Sequence, residues 1–180
     1  HTQIRGAFGF GGSMSSLVDP QAYGQALAGG RAVTFTVTHD IPNNSGFRYA
    51  LMDPTDETLA YAYVMGRNGG SPLLYSDNNE SGDNRWVNAY DRADIKGMIR
   101  FHNAVQGSDM QVLSHGSCHI VFRRGSLGIV GINKCGSTVN ATVNITSNLA
   151  IAAGQELRIA AAPNTAVTGT VNQSAGTVSF

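Results

Sequence analysis

The stretch TFTVTHDIPNN, Thr34 to Asn44, decides how the first half of the chain is read. Ala32 to Val37 is a β-branched and aromatic run, which favours a strand. It stops at the polar pair His39-Asp40, and a loop rich in Asn, Pro, Ser and Gly follows to Leu51. A strand ending in His-Asp puts both side chains at the C-terminal rim of a parallel sheet, where α/β proteins build their sites. By pattern alone the pair also reads as a cap and turn, in which Asp40 only satisfies loop N–H groups.

Working outward, strand and helix signals alternate. Ile4 to Phe10 reads as a short strand ending at Gly11-Gly12, and Pro20 to Ala28 as a short helix capped by Asp19. Asp53-Pro54 opens the clearest helix, Asp53 to Met65, in which Asp53, Asp56 and Glu57 read as capping and first-turn acids. Ser71 to Ser76 reads as a strand and Asp91 to Val105 as a helix with Ile95, Met98, Ile99, His102 and Val105 on or near one face. From Met110 helix signals give way to short strands, among them Cys118–Phe122 and Leu127–Ile132 around the turn Arg123-Arg124-Gly125-Ser126. The expectation is a mixed α/β part, residues 1–108, of about three βα units, followed by an all-β part, residues 109–180, folded as an antiparallel Greek-key sandwich. Three units do not close a barrel, which takes eight strands and about 250 residues.

Composition narrows the partner. Of 180 residues 42% are hydrophobic and 13% charged, with 12 Lys plus Arg against 12 Asp plus Glu. Such neutrality provides no electrostatic footprint for nucleic acid or an anionic membrane, and favours a neutral partner such as a sugar. No apolar run approaches the roughly 20 residues of a membrane helix. The first residue is His1, with no leader pattern ahead of the globular part, so the chain reads as a piece of something longer. Cys118 and Cys135 come within bonding reach if the intervening hairpin centres near Ser126; a disulfide there suits a secreted, extracellular protein, and two free thiols are the alternative.

VTHD at Val37 to Asp40, after its apolar strand, resembles a sequence signature of the α-amylase family, retaining glycoside hydrolases on a (β/α)8 barrel. The order of elements is similar to the end of that barrel: sixth strand at Ile4–Phe10, seventh at Ala32–Thr38, eighth at Ser71–Ser76. FHNAVQG (Phe101–Gly107) resembles the end of the last helix, and HIVFRRGSLGIVGIN the opening hairpin of the C-terminal β-domain. The resemblance implies that His39 and Asp40 are the catalytic transition-state-stabilising pair and that α-glucan or starch is the substrate. It implies a nucleophilic Asp and an acid/base Glu upstream of His1, and this chain holds no GxRxDxxxH-like segment. Retaining hydrolysis needs two carboxyl groups about 5 Å apart, and one carboxylate cannot do both jobs. No cofactor is expected in this chain: Thr38 stands where chloride-activated relatives carry Asn, no basic residue lies in Gly69–Ser76, and the family's calcium site draws on upstream segments.

Asn43, Asn44, Tyr75, Asp77 and Glu80 are the candidate substrate-binding residues, Tyr75 by stacking on a sugar, although SDNNESGDN also reads as a solvated loop. Trp86 and Tyr90 read as packing rather than a sugar platform. His115 and His119 lack a third ligand, and no metal site is expected there. Two other readings stay open. The chain could be a non-catalytic carbohydrate-binding module, or it could hydrolyse polysaccharide with a carboxylate pair of its own, Asp40 with Asp77 or Glu80. A barrel opened in this way exposes sheet edges, through which self-association is expected.

Overall fold

The computed structural model describes the backbone of residues 1–9, 11–24, 26–77, 85–142, 156–159, 167–172 and 177–179, with side chains as far as residue 139. The chain opens with a helix, α1 (Thr2–Phe8), where a strand was expected. Ile4, Ala7 and Phe8 are its buried residues, and their three- and four-residue spacing is that of one helical face, not of a strand. The helix expected over Pro20–Ala28 is likewise corrected. Asp19 caps a turn instead, its Oδ1 accepting the Gln21 N–H at 3.1 Å, and Gly24 sits at φ +68. Tyr23 and Leu27 are exposed, so no buried face supports a helix here.

β1 (Val33–Thr34) and β2 (Ser71–Pro72) form a parallel two-stranded sheet with Val33 opposite Ser71 and Thr34 opposite Pro72. Both are far shorter than the expected strands. Pro72 cannot donate to a ladder, and each strand has one neighbour among the described residues. Beyond β1 the chain runs buried through Thr36 and Val37 into a single helical turn, α2 (Asp40–Asn43).

α3 (Pro54–Gly66) starts as expected: Asp53 Oδ1 accepts the Thr55 N–H at 2.9 Å, with Pro54 at the first position. Every residue from Glu57 to Gly66 is buried, because α1, α4 (Ala93–Ala104) and the sheet below surround this helix. Ile95 and Met98 are the buried residues of α4, as the periodicity predicts.

An antiparallel sheet follows: β3 (Met110–His115), β4 (His119–Arg124) and β5 (Gly128–Asn133), in that order. Arg123 and Arg124 belong to β4 rather than to the turn, which spans Gly125 to Leu127 between the pair Arg124 and Gly128. Ile120, Phe122 and Ile132 join α1 and α3 in one hydrophobic core, with the Phe122 ring edge-on to Tyr63 at 6.1 Å. Cys118 and Cys135 form a disulfide just beyond the ladder, Cα atoms 5.4 Å apart. A second antiparallel sheet has the order β6 (Asn140–Thr142), β9 (Thr177–Ser179), β8 (Val167–Asn172), β7 (Glu156–Ile159).

Candidate active site

The buried end of the β1 segment delivers His39 and Asp40 to the surface. Ile41 and Pro42 are buried and anchor α2 from below. His39 Nε2 lies 3.2 Å from Asp40 Oδ1, and the two side chains are 75% and 63% exposed. The pair therefore presents an imidazole donor and a carboxylate acceptor side by side to solvent, which suits hydroxyl groups. Arg48 ties the following loop back, its Nη1 donating to Pro42 O at 2.6 Å. Asn43 and Asn44 are exposed beside the pair, and the Asn44 side chain is engaged in a turn, accepting the Gly46 N–H at 2.9 Å.

The other candidates lie beyond β2. Tyr75 is half-buried; its N–H donates to Tyr61 Oη at 3.2 Å and its ring tilts against Trp86 at 5.7 Å. Asp77 differs from the expected exposed position. It is 4% exposed, its N–H donates to Trp86 O at 3.0 Å, and its backbone bridges to Val87. Its carboxylate does not share the open surface of Asp40. Glu80 lies outside the described residues. Trp86 is packed in the interior, whereas Tyr90 is exposed. His115 and His119 are held by serines, Nδ1 of His115 by Ser15 Oγ at 3.0 Å and Nε2 of His119 by Ser114 Oγ at 2.9 Å.

Sequence reasoning missed Glu57. Taken for a capping acid, it is buried and accepts at Oε2 from Trp86 Nε1 at 2.9 Å and from Arg85 Nη2 at 3.2 Å. The local sequence offers little signal for this, since its partners Arg85 and Trp86 lie 28 and 29 residues away. Burial pushes its carboxyl up to about 7 from an ordinary 4.5, with Arg85, the Trp86 hydrogen bond and Arg92 opposing. A raised acid favours the folded state while protonated. That contribution is complete below about 4.5 and is lost as pH rises through about 7. Glu57→Gln should remove this slope: between pH 5 and 8, denaturant titrations should show the wild type losing roughly 2 kcal/mol relative to the variant. Parallel profiles would contradict the assignment.

These features define a mixed α/β unit with an exposed His-Asp pair at the start of a helical turn, joined to antiparallel β-structure. No family model matches the chain. An α-amylase of Aeromonas hydrophila is 62% identical over 135 residues, covering 73% of this chain and 29% of that protein. The fold is shared with α-amylase I of Eisenia fetida (TM-score 0.69, 20% identity, 99% of this chain and 45% of that one). It is also shared with an α-amylase of Malbranchea cinnamomea (TM-score 0.57, 19% identity, 99% and 43%). The chain belongs to the α-amylase family, and the match is consistent with a C-terminal portion of such a protein. It spans under a third of the length of the curated relative and under half of these structures.

Proposed function

We propose that the chain serves α-1,4-glucan hydrolysis as part of a secreted α-amylase, supplying the His39–Asp40 pair and the C-terminal β-structure. Residues 1–108 are read as the end of the barrel and 109–180 as a Greek-key sandwich. The observation that carries this reading is the solvent-facing pair itself, 3.2 Å apart at the start of α2, just after the buried segment Thr36–Val37. Asp40 would accept hydroxyl hydrogens of the sugar beside the scissile bond. His39 would donate to a hydroxyl whose bond strengthens as the ring gains oxocarbenium character. The nucleophile and the acid/base belong to upstream segments on this reading, so this chain prepares the transition state without cleaving the bond. Among the described residues no group of three His, Cys, Asp or Glu side chains stands together to hold a metal ion. The Cys118–Cys135 disulfide supports an oxidising, extracellular setting. Val33 on the two-stranded sheet and Leu73 just beyond it stand exposed, which supports cover by further polypeptide or by a second copy.

The test measures maltoheptaose binding by calorimetry and reducing-sugar release from soluble starch. Asp40→Asn should weaken binding about tenfold, the loss of one charge-assisted hydrogen bond. Wild type and variant should release equal, background sugar. Release that vanishes only in Asp40→Asn would instead show hydrolysis by this chain alone, and unchanged binding would remove Asp40 from the site.

A further inference from the structure

The interior polar cluster around Glu57 has no part in the reading above, yet it touches one of the candidate sugar contacts. We propose that Glu57 is a positioning residue for glucan binding: its carboxylate fixes Trp86, and Trp86 fixes the ring of Tyr75 for stacking on a sugar. The inference rests on the α-glucan reading of the chain and deepens it.

The geometry forms a chain of contacts from helix to ring. Glu57 Oε2 accepts from Trp86 Nε1 at 2.9 Å, which sets the rotation of an indole that is 3% exposed. Arg85 adds a second clamp: it donates to the same Oε2 and to Met52 O, and its guanidinium lies 4.8 Å from the Trp86 ring centroid. The Tyr75 ring leans on that indole at 5.7 Å and 58°. From the other side the Tyr75 main chain is held by Tyr61 Oη, one turn along α3 from Glu57. The segment returns alongside, with Asp77 N–H and Ser76 Oγ both donating to Trp86 O. Sugar stacking requires a ring of fixed direction, because each rotamer that must be frozen on binding weakens it. The charged and titratable groups acting on Glu57 are Arg85, Arg92 and Asp53, with Tyr61 beside it on the same helix.

Trp86 is the sole tryptophan, so it reports on the carboxylate directly. Wild-type emission should titrate with a midpoint near pH 7, and Glu57→Gln, which keeps the acceptor and loses the ionisation, should show no such step. At pH 8 Glu57→Gln should bind maltoheptaose within about twofold of wild type. Glu57→Ala should bind roughly 3–10-fold more weakly, the scale of a lost aromatic contact. Tyr75→Ala should match it, and the double variant should be no weaker than Tyr75→Ala alone. If Glu57→Ala does not fold, Trp86→Phe breaks the same bond without emptying the core and should weaken binding in the same range. A titration step that survives in Glu57→Gln overturns the proposal, as does full-strength binding by folded Glu57→Ala or Trp86→Phe. Absence of binding by the wild type would remove the glucan reading and this inference together; wild-type binding with unaffected variants removes the inference alone.

Discussion

Arg124→Met is expected to lower stability by about 3–5 kcal/mol and the thermal midpoint by roughly 10 °C, measured by circular dichroism under heat and urea. The guanidinium is buried at the end of the apolar stripe Ile120, Phe122, Arg124 on one face of β4. Nη1 donates to Gly66 O at 2.6 Å, and Nη2 to Val105 O at 3.0 Å and Ser108 O at 3.2 Å. Gly66 ends α3 and Val105 caps α4, so one cation satisfies carbonyls at the negative ends of two helix dipoles. Methionine keeps the apolar stem and leaves those buried acceptors without their donor, which costs more than the bonds contribute net. Arg124→Lys should recover part of the loss, since an ammonium carries the charge and lacks the planar fork that reaches two helices. The neighbouring arginine is the control. Arg123 points to the other face, where it meets Gln111 and Asp109 near solvent, and Arg123→Met should change stability by less than about 1 kcal/mol. Equal effects at the two positions would show that the buried carbonyls find other donors.

Arg124 also shows where the sequence could be read and where it could not. The hairpin is legible from two apolar runs around Gly125, but residues 123 and 124 read as turn because arginine is rarely interior. Only the helix ends beneath it, distant in sequence, make a buried cation favourable. Asp53-Pro54 is legible because a cap is a local device whose partner lies two residues on. His39-Asp40 is legible because the buried segment through Val37 and the exposed polar turn after it are adjacent in sequence. The apolar run Ile4–Phe10 suggests a strand, while positions 4, 7 and 8 share the helical face that α1 buries. For Glu57 a first-turn acid suffices to explain the sequence, and its partners Arg85 and Trp86 arrive from 28 and 29 residues away. Local signals identify caps, turns and strand ends; contacts assembled across the fold leave few.

The double variant Cys118→Ser/Cys135→Ser is expected to lose about 3 kcal/mol, the entropy a cross-link of this span removes from the unfolded chain. The two cysteines are 17 residues apart and close the open end of the β4–β5 hairpin, whose own ladder stops at His119 and Asn133. Lys134 lies inside that closure. Its N–H donates to Cys118 O at 2.9 Å, and its ammonium reaches out of the sheet to Ala7 O at 2.6 Å and to Gly12 O. Loss of the disulfide should therefore be felt at a distance, as faster amide exchange at the end of α1 and not only in the hairpin. Lys134→Met should reproduce the exchange at α1 while leaving the hairpin protected, which separates the cross-link from the anchor it steadies. Thiol titration of denatured wild type should find no reactive sulfhydryl. Two titrating thiols, or a double variant within about 1 kcal/mol of wild type, would mean that the hairpin end is held by its neighbours and that the bond adds little.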